Sequence, residues 1–305
     1  MTCDGDSVND ATLALLLEVA GTPKPGNVDR RRDLDDLRFE SVLGGAVGAR
    51  EGLELAASDD ASVGRAFERG VAGMADKTGT NTQFGCLLLL VPLIRASAQG
   101  NLSPAVLSRV TRETTVDDAI AFYRAFEHVD VAVADPPADA DDLDVRRGSD
   151  AAPALRDRDA TLRDVMALSA APPDAERVPD RNAQEWTEGF PRTFRAAEWI
   201  LTDEGPLTDR AARAFLGLLA AEPDTLVAAD HGPEAAREAS WRAAALVGSG
   251  ASAAVDADAV HAVDLDAVEE LAEAFVTEGI NPGTTADLTC AALYVALRRG
   301  AEVGP

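Results

Sequence analysis

Three short polar segments carry the residues best suited to chemistry. The first is Thr22-Pro23-Lys24-Pro25-Gly26-Asn27-Val28-Asp29, with Arg30 beside it. The second is Asp76-Lys77-Thr78-Gly79-Thr80-Asn81-Thr82, and the third is Gly279-Ile280-Asn281-Pro282-Gly283-Thr284, with Asp287 one turn further on. Glycine lets a backbone approach a ligand closely, Thr and Asn add side-chain donors, and Lys or Arg supplies positive charge. Where such a segment opens a helix, unpaired N–H groups and the positive end of the helix dipole favour phosphate. Lys24 and Lys77 are the only lysines in the chain, against 26 arginines, and both fall in or beside these segments. A compact ammonium there suits a phosphate contact. Plain structural readings stand beside this one. Thr80, Asn81 or Thr82 can simply cap a helix, Thr284 to Asp287 has the spacing of a capping box with Asp for Glu, and Thr22 to Gly26 can be a tight interhelical loop. No P-loop and no dinucleotide-binding GxGxxG pattern is present.

These segments interrupt a chain that otherwise reads as helix. The chain has 305 residues, of which 46% are hydrophobic and only 5% aromatic, so its core must be built mainly from Ala, Leu and Val. Ala and Leu favour helix. Helical spacing of apolar residues predicts helices over 9–20, 39–57, 63–75, 83–98, 115–127, 161–169, 182–201, 208–219, 233–247, 267–278 and 285–298. No alternation of strand and helix and no convincing internal repeat appears. The expectation is an all-α fold: one domain over 1–305, a multi-helix orthogonal bundle with short connections whose polar inter-helix loops form a nucleotide site. The stretch near 130–158, with its acidic run Asp139 to Asp144, is expected as an exposed loop.

The formal net charge is −25. Nucleic acid and anionic membrane surfaces are poor partners for such a chain. Abundant Asp with scarce Lys resembles proteins adapted to high salt, which screens carboxylate repulsion. The three cysteines, Cys3, Cys86 and Cys290, form no CxxC pair and suggest no disulfide framework. Cys86 and Cys290 lie in apolar helical runs and read as buried small hydrophobes. The acidic N-terminus does not read as a secretory signal, and the run Cys86 to Ile94 is too short to span a bilayer. The cytoplasm is the expected location, and nothing in the sequence sets an oligomeric state.

Taken together, the segments resemble a known family. Glu18-Val-Ala-Gly-Thr-Pro-Lys-Pro-Gly-Asn-Val-Asp29-Arg30 resembles the opening motif of the triphosphoribosyl-dephospho-CoA synthases, Gly79-Thr-Asn-Thr-Gln-Phe-Gly85 their central motif, and Gly279-Ile-Asn-Pro-Gly-Thr-Thr-Ala-Asp-Leu288 their C-terminal motif, in the family's order. The resemblance implies an all-helical transferase. Its substrates would be ATP and 3′-dephospho-CoA, with the triphosphoribosyl unit moved to the 2′-hydroxyl and adenine released. The product is the precursor of the prosthetic group of citrate or malonate decarboxylating systems. An oxocarbenium-like state and an attacking hydroxyl call for carboxylates, and a triphosphate calls for cations, N–H donors and Mg²⁺ on oxygen ligands. Asp29 and Asp287 are the candidates for base or Mg²⁺ ligand. Lys24, Gly26, Asn27, Arg30, Lys77, Gly79, Thr80, Asn81, Asn281 and Gly283 are the candidates for phosphate or ribose contact.

Two features depart from the usual pattern. The central motif usually reads Asn-Thr-His-Lys-Gly, and this chain has Gln83 and Phe84 at the His and Lys places. The stretch Pro179 to Phe190 resembles a divergent archaeal and methylotroph branch, for which another cofactor, such as a one-carbon pterin carrier, is an alternative product. A non-catalytic nucleotide-binding protein is a further alternative. Arg181 and Glu185 at i, i+4 suit an exposed ion pair. His128, His231 and His261 show no metal-ligand spacing and read as structural or surface residues.

Overall fold

Leucine- and alanine-rich runs without β-branched alternation can bury apolar surface only by packing helix on helix, and the computed structural model shows 17 α-helices and no strand among its described residues. Those residues are 4–133, 135–136, 140–171, 177–248 and 255–304. Cys3 and Asp139 lie outside them. In chain order the helices are α1 (Asp4–Ala20), α2 (Phe39–Gly48), α3 (Arg50–Ala57), α4 (Val63–Thr78), α5 (Phe84–Ala98), α6 (Pro104–Arg112), α7 (Val116–Ala125), α8 (Ala152–Asp157), α9 (Leu162–Ala170), α10 (Arg181–Glu188), α11 (Pro191–Thr202), α12 (Leu207–Ala221), α13 (Thr225–His231), α14 (Pro233–Val247), α15 (Ala257–His261), α16 (Leu265–Glu278) and α17 (Gly283–Arg298). They form two compact units, a finer division than the one domain read from the sequence. The first comprises Met1–Thr12, Gly44–Ala175 and Pro179–Pro191, and the second Leu13–Leu43, Glu176–Val178 and Arg192–Pro305.

In the first unit, glycine sets how closely helices approach. A Cβ on Gly52 of α3 would lie 2.4 Å from the Cα of Gly70 on α4, and one on Gly48 of α2 would lie 2.3 Å from the Gly73 carbonyl. Phe67, Phe84, Phe122 and Phe126 form an aromatic cluster, with Phe67 and Phe84 edge to face at 5.0 Å. Pro92 sits inside α5 and has no N–H for the Leu88 carbonyl four residues back. The indole Nε1–H of Trp186, on α10, donates to that carbonyl at 3.1 Å. Asp118 completes a capping box with Thr115 at the start of α7 and accepts the Gly64 N–H at 2.7 Å.

Several boundaries differ from the sequence reading, each for a local reason. The helix expected over 182–201 is two, because Gly189 (φ 85°) and Phe190 (φ 65°) turn left-handed before Pro191. The helix over 39–57 is interrupted at Ala49. Helices α6, α13 and α15, short or polar, were not expected. Within the stretch near 130–158, residues 141–157 are not simply loop: 3₁₀ turns Asp141–Leu143 and Val145–Ala151 lead into α8. Leu143 and Leu155 are buried there, and the Tyr123 hydroxyl donates to the Leu143 carbonyl at 2.5 Å.

In the second unit, Phe215, Leu216 and Leu219 of α12, Ala239, Ala243 and Val247 of α14, and Val268, Leu271 and Phe275 of α16 form the core together with Ala286 of α17. Helix α17 is buried along nearly its whole length, from Thr284 to Leu297, as its apolar circumference requires. A smaller cluster of Val19, Val28 and Val42, flanked by Leu34, Leu37, Phe39 and Leu43, fixes the chain between α1 and α2.

Candidate active site

The first and third polar segments meet in the second unit. Gly26 has a φ of +69°, and a Cβ on it would lie 1.8 Å from the Ile280 carbonyl oxygen. Both the backbone angle and the space demand glycine. One residue on, the Asn27 Nδ2 donates to the Asn281 Oδ1 at 2.9 Å. Thus Gly26 is explained by backbone packing of loop on loop, and Asn27 and Asn281 by a mutual bond.

Lys24 is buried, with 1% of its surface exposed, and its Nζ forms an ion pair with the equally buried Glu18. It also donates to the Asn27 Oδ1 at 2.9 Å and lies 5.9 Å from the Phe215 ring centroid. An ammonium enclosed in this way acts as an internal strut, its contacts all within the protein. Burial pushes the Glu18 carboxyl up, and the Lys24 charge and hydrogen bond pull it part of the way back. Lys24 thereby ties the end of α1 to Asn27 and, through Asn27, to Asn281.

Asp29 is fully buried. Its Oδ2 accepts from the Thr22 hydroxyl (2.8 Å), the Lys24 N–H (3.2 Å) and the Arg32 guanidinium (3.0 Å), and its Oδ1 accepts the Arg31 N–H at 2.8 Å. A carboxylate so engaged organises the turn. A base or Mg²⁺ ligand needs an oxygen open to water or substrate, and both oxygens of Asp29 are engaged by protein donors. The nearly buried Arg32 carries the network on to Glu269 and Glu273 of α16, while Arg31 pairs with Glu269 at 2.5 Å. Arg30 is exposed and forms no ion pair among the described residues.

The third segment begins at Gly279, whose φ of 70° closes α16, and its carbonyl lies 3.0 Å from the His231 Nε2. Helix α17 has Pro282 at its N-cap, with no side-chain cap, so the capping box read into Thr284 and Asp287 does not form. The Gly283 N–H donates to the Asn281 carbonyl at 2.8 Å. The Thr285 N–H and hydroxyl both donate to Asp224 Oδ2 at 2.7 Å. The Thr284 N–H has no acceptor among the described residues, which leaves one donor at the positive end of this helix. A Cβ on Gly283 would lie 2.6 Å from the Leu226 Cδ2, so this glycine too is explained by packing. Asp287 is half-buried on the following turn.

The second segment belongs to the first unit. Lys77 stands in the last turn of α4, exposed and without an ion pair among the described residues. Gly79 closes α4 in the left-handed conformation (φ 72°), its N–H donating to the Ala75 carbonyl at 2.8 Å. Thr80 is exposed, its carbonyl accepting the Thr78 hydroxyl at 2.9 Å. Asn81 Oδ1 accepts the Phe84 N–H at 3.1 Å and so caps the start of α5, the structural reading of that residue. Phe84 lies in the aromatic cluster, 6% exposed. On α10, Glu185 is fully buried and not on the exposed face expected of it, and Arg181 donates to the Gln184 Oε1 at 2.8 Å.

Residues the sequence did not single out complete the picture: Glu18, Thr22, Arg32, Asp224 and Thr285. Glu18 opens the first motif, and Asp224 carries a helix-start signal, Pro-Asp-Thr. Nothing in the run Arg30-Arg31-Arg32 shows which arginine turns inward. Among the described residues no group of three or more His, Cys, Asp or Glu side chains is placed to hold a metal ion, and no helix is long and apolar enough to cross a membrane.

The all-helical fold with its first and third motifs locked together is that of a known class of transferase, as the family match shows. The sequence pattern of the CitG family, ATP:dephospho-CoA triphosphoribosyl transferase, matches residues 7–303, and the chain belongs to that family. Among solved structures, an Archaeoglobus fulgidus protein provisionally named a triphosphoribosyl-dephospho-CoA synthase shares the fold. It is 23% identical, with a TM-score of 0.63 over 85% of this chain and 99% of that one. No curated protein sequence matches the chain.

Proposed function

We propose that this enzyme transfers the triphosphoribosyl group of ATP to the 2′-hydroxyl of 3′-dephospho-CoA. The hydroxyl oxygen bonds to C1′ of the ATP ribose, the glycosidic C–N bond breaks, and adenine leaves. The hydroxyl proton passes to a base. The observation that carries the reading is the lock between Gly26–Asn27 and Ile280–Asn281 in a chain of this family. Arg30 and the Thr284 N–H are the groups of the second unit proposed to meet phosphate, with Asp287 the candidate base. Lys77 and Thr80 are a separate candidate for polyphosphate in the first unit. Mg²⁺ is proposed to arrive on the triphosphate, held mainly by phosphate oxygens. The enzyme is proposed to act in the cytoplasm and at high salt. Purified protein with ATP, Mg²⁺ and dephospho-CoA in molar salt should release free adenine. ADP or AMP without adenine would show a different reaction.

One observation favours a second reading, in which the acceptor is another phosphorylated cofactor precursor, for example of a one-carbon pterin carrier. Where the family usually has a histidine and a lysine, this chain buries Gln83 and commits Phe84 to an aromatic core. Adenine release with a different acceptor, found by screening, would select it.

A further inference from the structure

Asp224 lies at the junction of α13 and α17 with only 2% of its surface exposed. Its Oδ1 accepts the Leu226 and Val227 N–H groups at 2.9 and 3.2 Å, capping α13. Its Oδ2 accepts the N–H and hydroxyl of Thr285. Thr285 is the third residue of α17, so Asp224 supplies from another helix the cap that Pro282 cannot. Two residues on, Leu226 fills the space left by the missing side chain of Gly283. One short stretch of chain therefore holds the first turn of α17 by a hydrogen-bonded carboxylate and by packing.

We propose that Asp224 is a positioning residue for the transfer reaction: it sets the first turn of α17, and with it Asn281, the Thr284 N–H and Asp287. The activity part of this proposal rests on the transfer reading above. It is a positioning role because no atom of Asp224 is open to a substrate, its oxygens being filled by four donors.

Asp224→Asn separates its two tasks. The remaining carbonyl oxygen can still cap α13, while the amide nitrogen faces the Thr285 N–H, donor against donor. Thr285→Val leaves Asp224 and the α13 cap intact and removes only the hydroxyl donor. Both are tested in the full-length chain. Adenine-release kcat/KM should fall on the order of thirtyfold in Asp224→Asn and about fivefold in Thr285→Val, with Thr285→Ser recovering most of the loss. The double variant should be no worse than Asp224→Asn, because both changes break one linkage. Hydrogen exchange of the Gly283–Thr285 amides should quicken about tenfold or more in Asp224→Asn while α12 amides are unchanged. Activity within about threefold of the parent, multiplicative losses, or unchanged exchange at Gly283–Thr285 each overturns the proposal. If Asp224→Asn does not fold, Thr285→Val and Thr285→Ser decide it by the same readouts. If the parent protein releases no adenine, the transfer reading fails by itself, and the exchange measurement still decides the role of Asp224.

Discussion

Asn27 donates its amide to Asn281 across 254 positions of sequence, and the same Asn27 accepts the ammonium of Lys24. The two family motifs of the second unit are thus joined by a polar contact with no charge of its own, backed by a charged pair beneath. Replacing both asparagines with alanine should cost less than the sum of the single replacements, with a coupling of about 1 kcal/mol in denaturant unfolding. Additive losses would mean that the motifs are held together elsewhere.

Lys24 and Glu18 are coupled in the same sense. Lys24→Met leaves the Glu18 carboxylate buried without its partner and should cost about 3–5 kcal/mol. Adding Glu18→Gln should return a large part of that loss. A direct phosphate contact would behave differently: Lys24→Met would weaken ATP binding at nearly unchanged stability.

Burial raises the Glu18 carboxyl above its ordinary 4.5. The folded chain then binds this proton more tightly than the unfolded chain does. Between 4.5 and the raised value the folded state carries more protons, so stability from this group is full below the unfolded pKa and falls as pH rises through the folded one. Unfolding free energies of the parent minus those of Glu18→Gln should decline with pH across that window, at most by about 1.4 kcal/mol per pH unit. A difference that rises with pH would reverse the assignment.

Much of this was written in the sequence and some of it was not. The helices between the three polar segments follow from apolar spacing, and Gly79 and Gly279 end helices where a left-handed residue is needed. The inward turn of Lys24 was not legible, because an ammonium in a Pro-Gly loop looks the same whether it meets a phosphate or a carboxylate. Its partner Glu18 lies on the preceding helix, at a spacing that only the turn brings together. Asp29 was legible as a special carboxylate, but two of its four donors are backbone N–H groups, which any sequence supplies, and nothing local marks Thr22 and Arg32 as the other two. Asp224 and Thr285 pair over 61 positions, beyond the reach of any local pattern.

Arg30 and Lys77 are exposed cations without ion pairs among the described residues, unlike Lys24. Each change to alanine, made separately, should raise the KM for ATP about tenfold with a shift in unfolding free energy below about 0.5 kcal/mol. An unchanged KM in either variant removes that residue from the set of phosphate contacts.

Within the first unit, Trp186→Phe keeps the ring and removes the donor to the Leu88 carbonyl. The loss should be about 1–2 kcal/mol. Pro92→Ala restores a main-chain donor to the same carbonyl, so in that background Trp186→Phe should cost distinctly less. Equal costs in both backgrounds would show that the indole contributes by packing alone.

The close seat of Gly26 on the Ile280 carbonyl also bears on attempts to redirect this enzyme to new acceptors. A library that varies position 26 would mostly sample chains unable to close the loop, and its losses would be mistaken for effects on specificity. Positions 83 and 84 belong to the first unit. Both are buried, Phe84 within the aromatic cluster, so variation there has to be scored for folding as well as for activity.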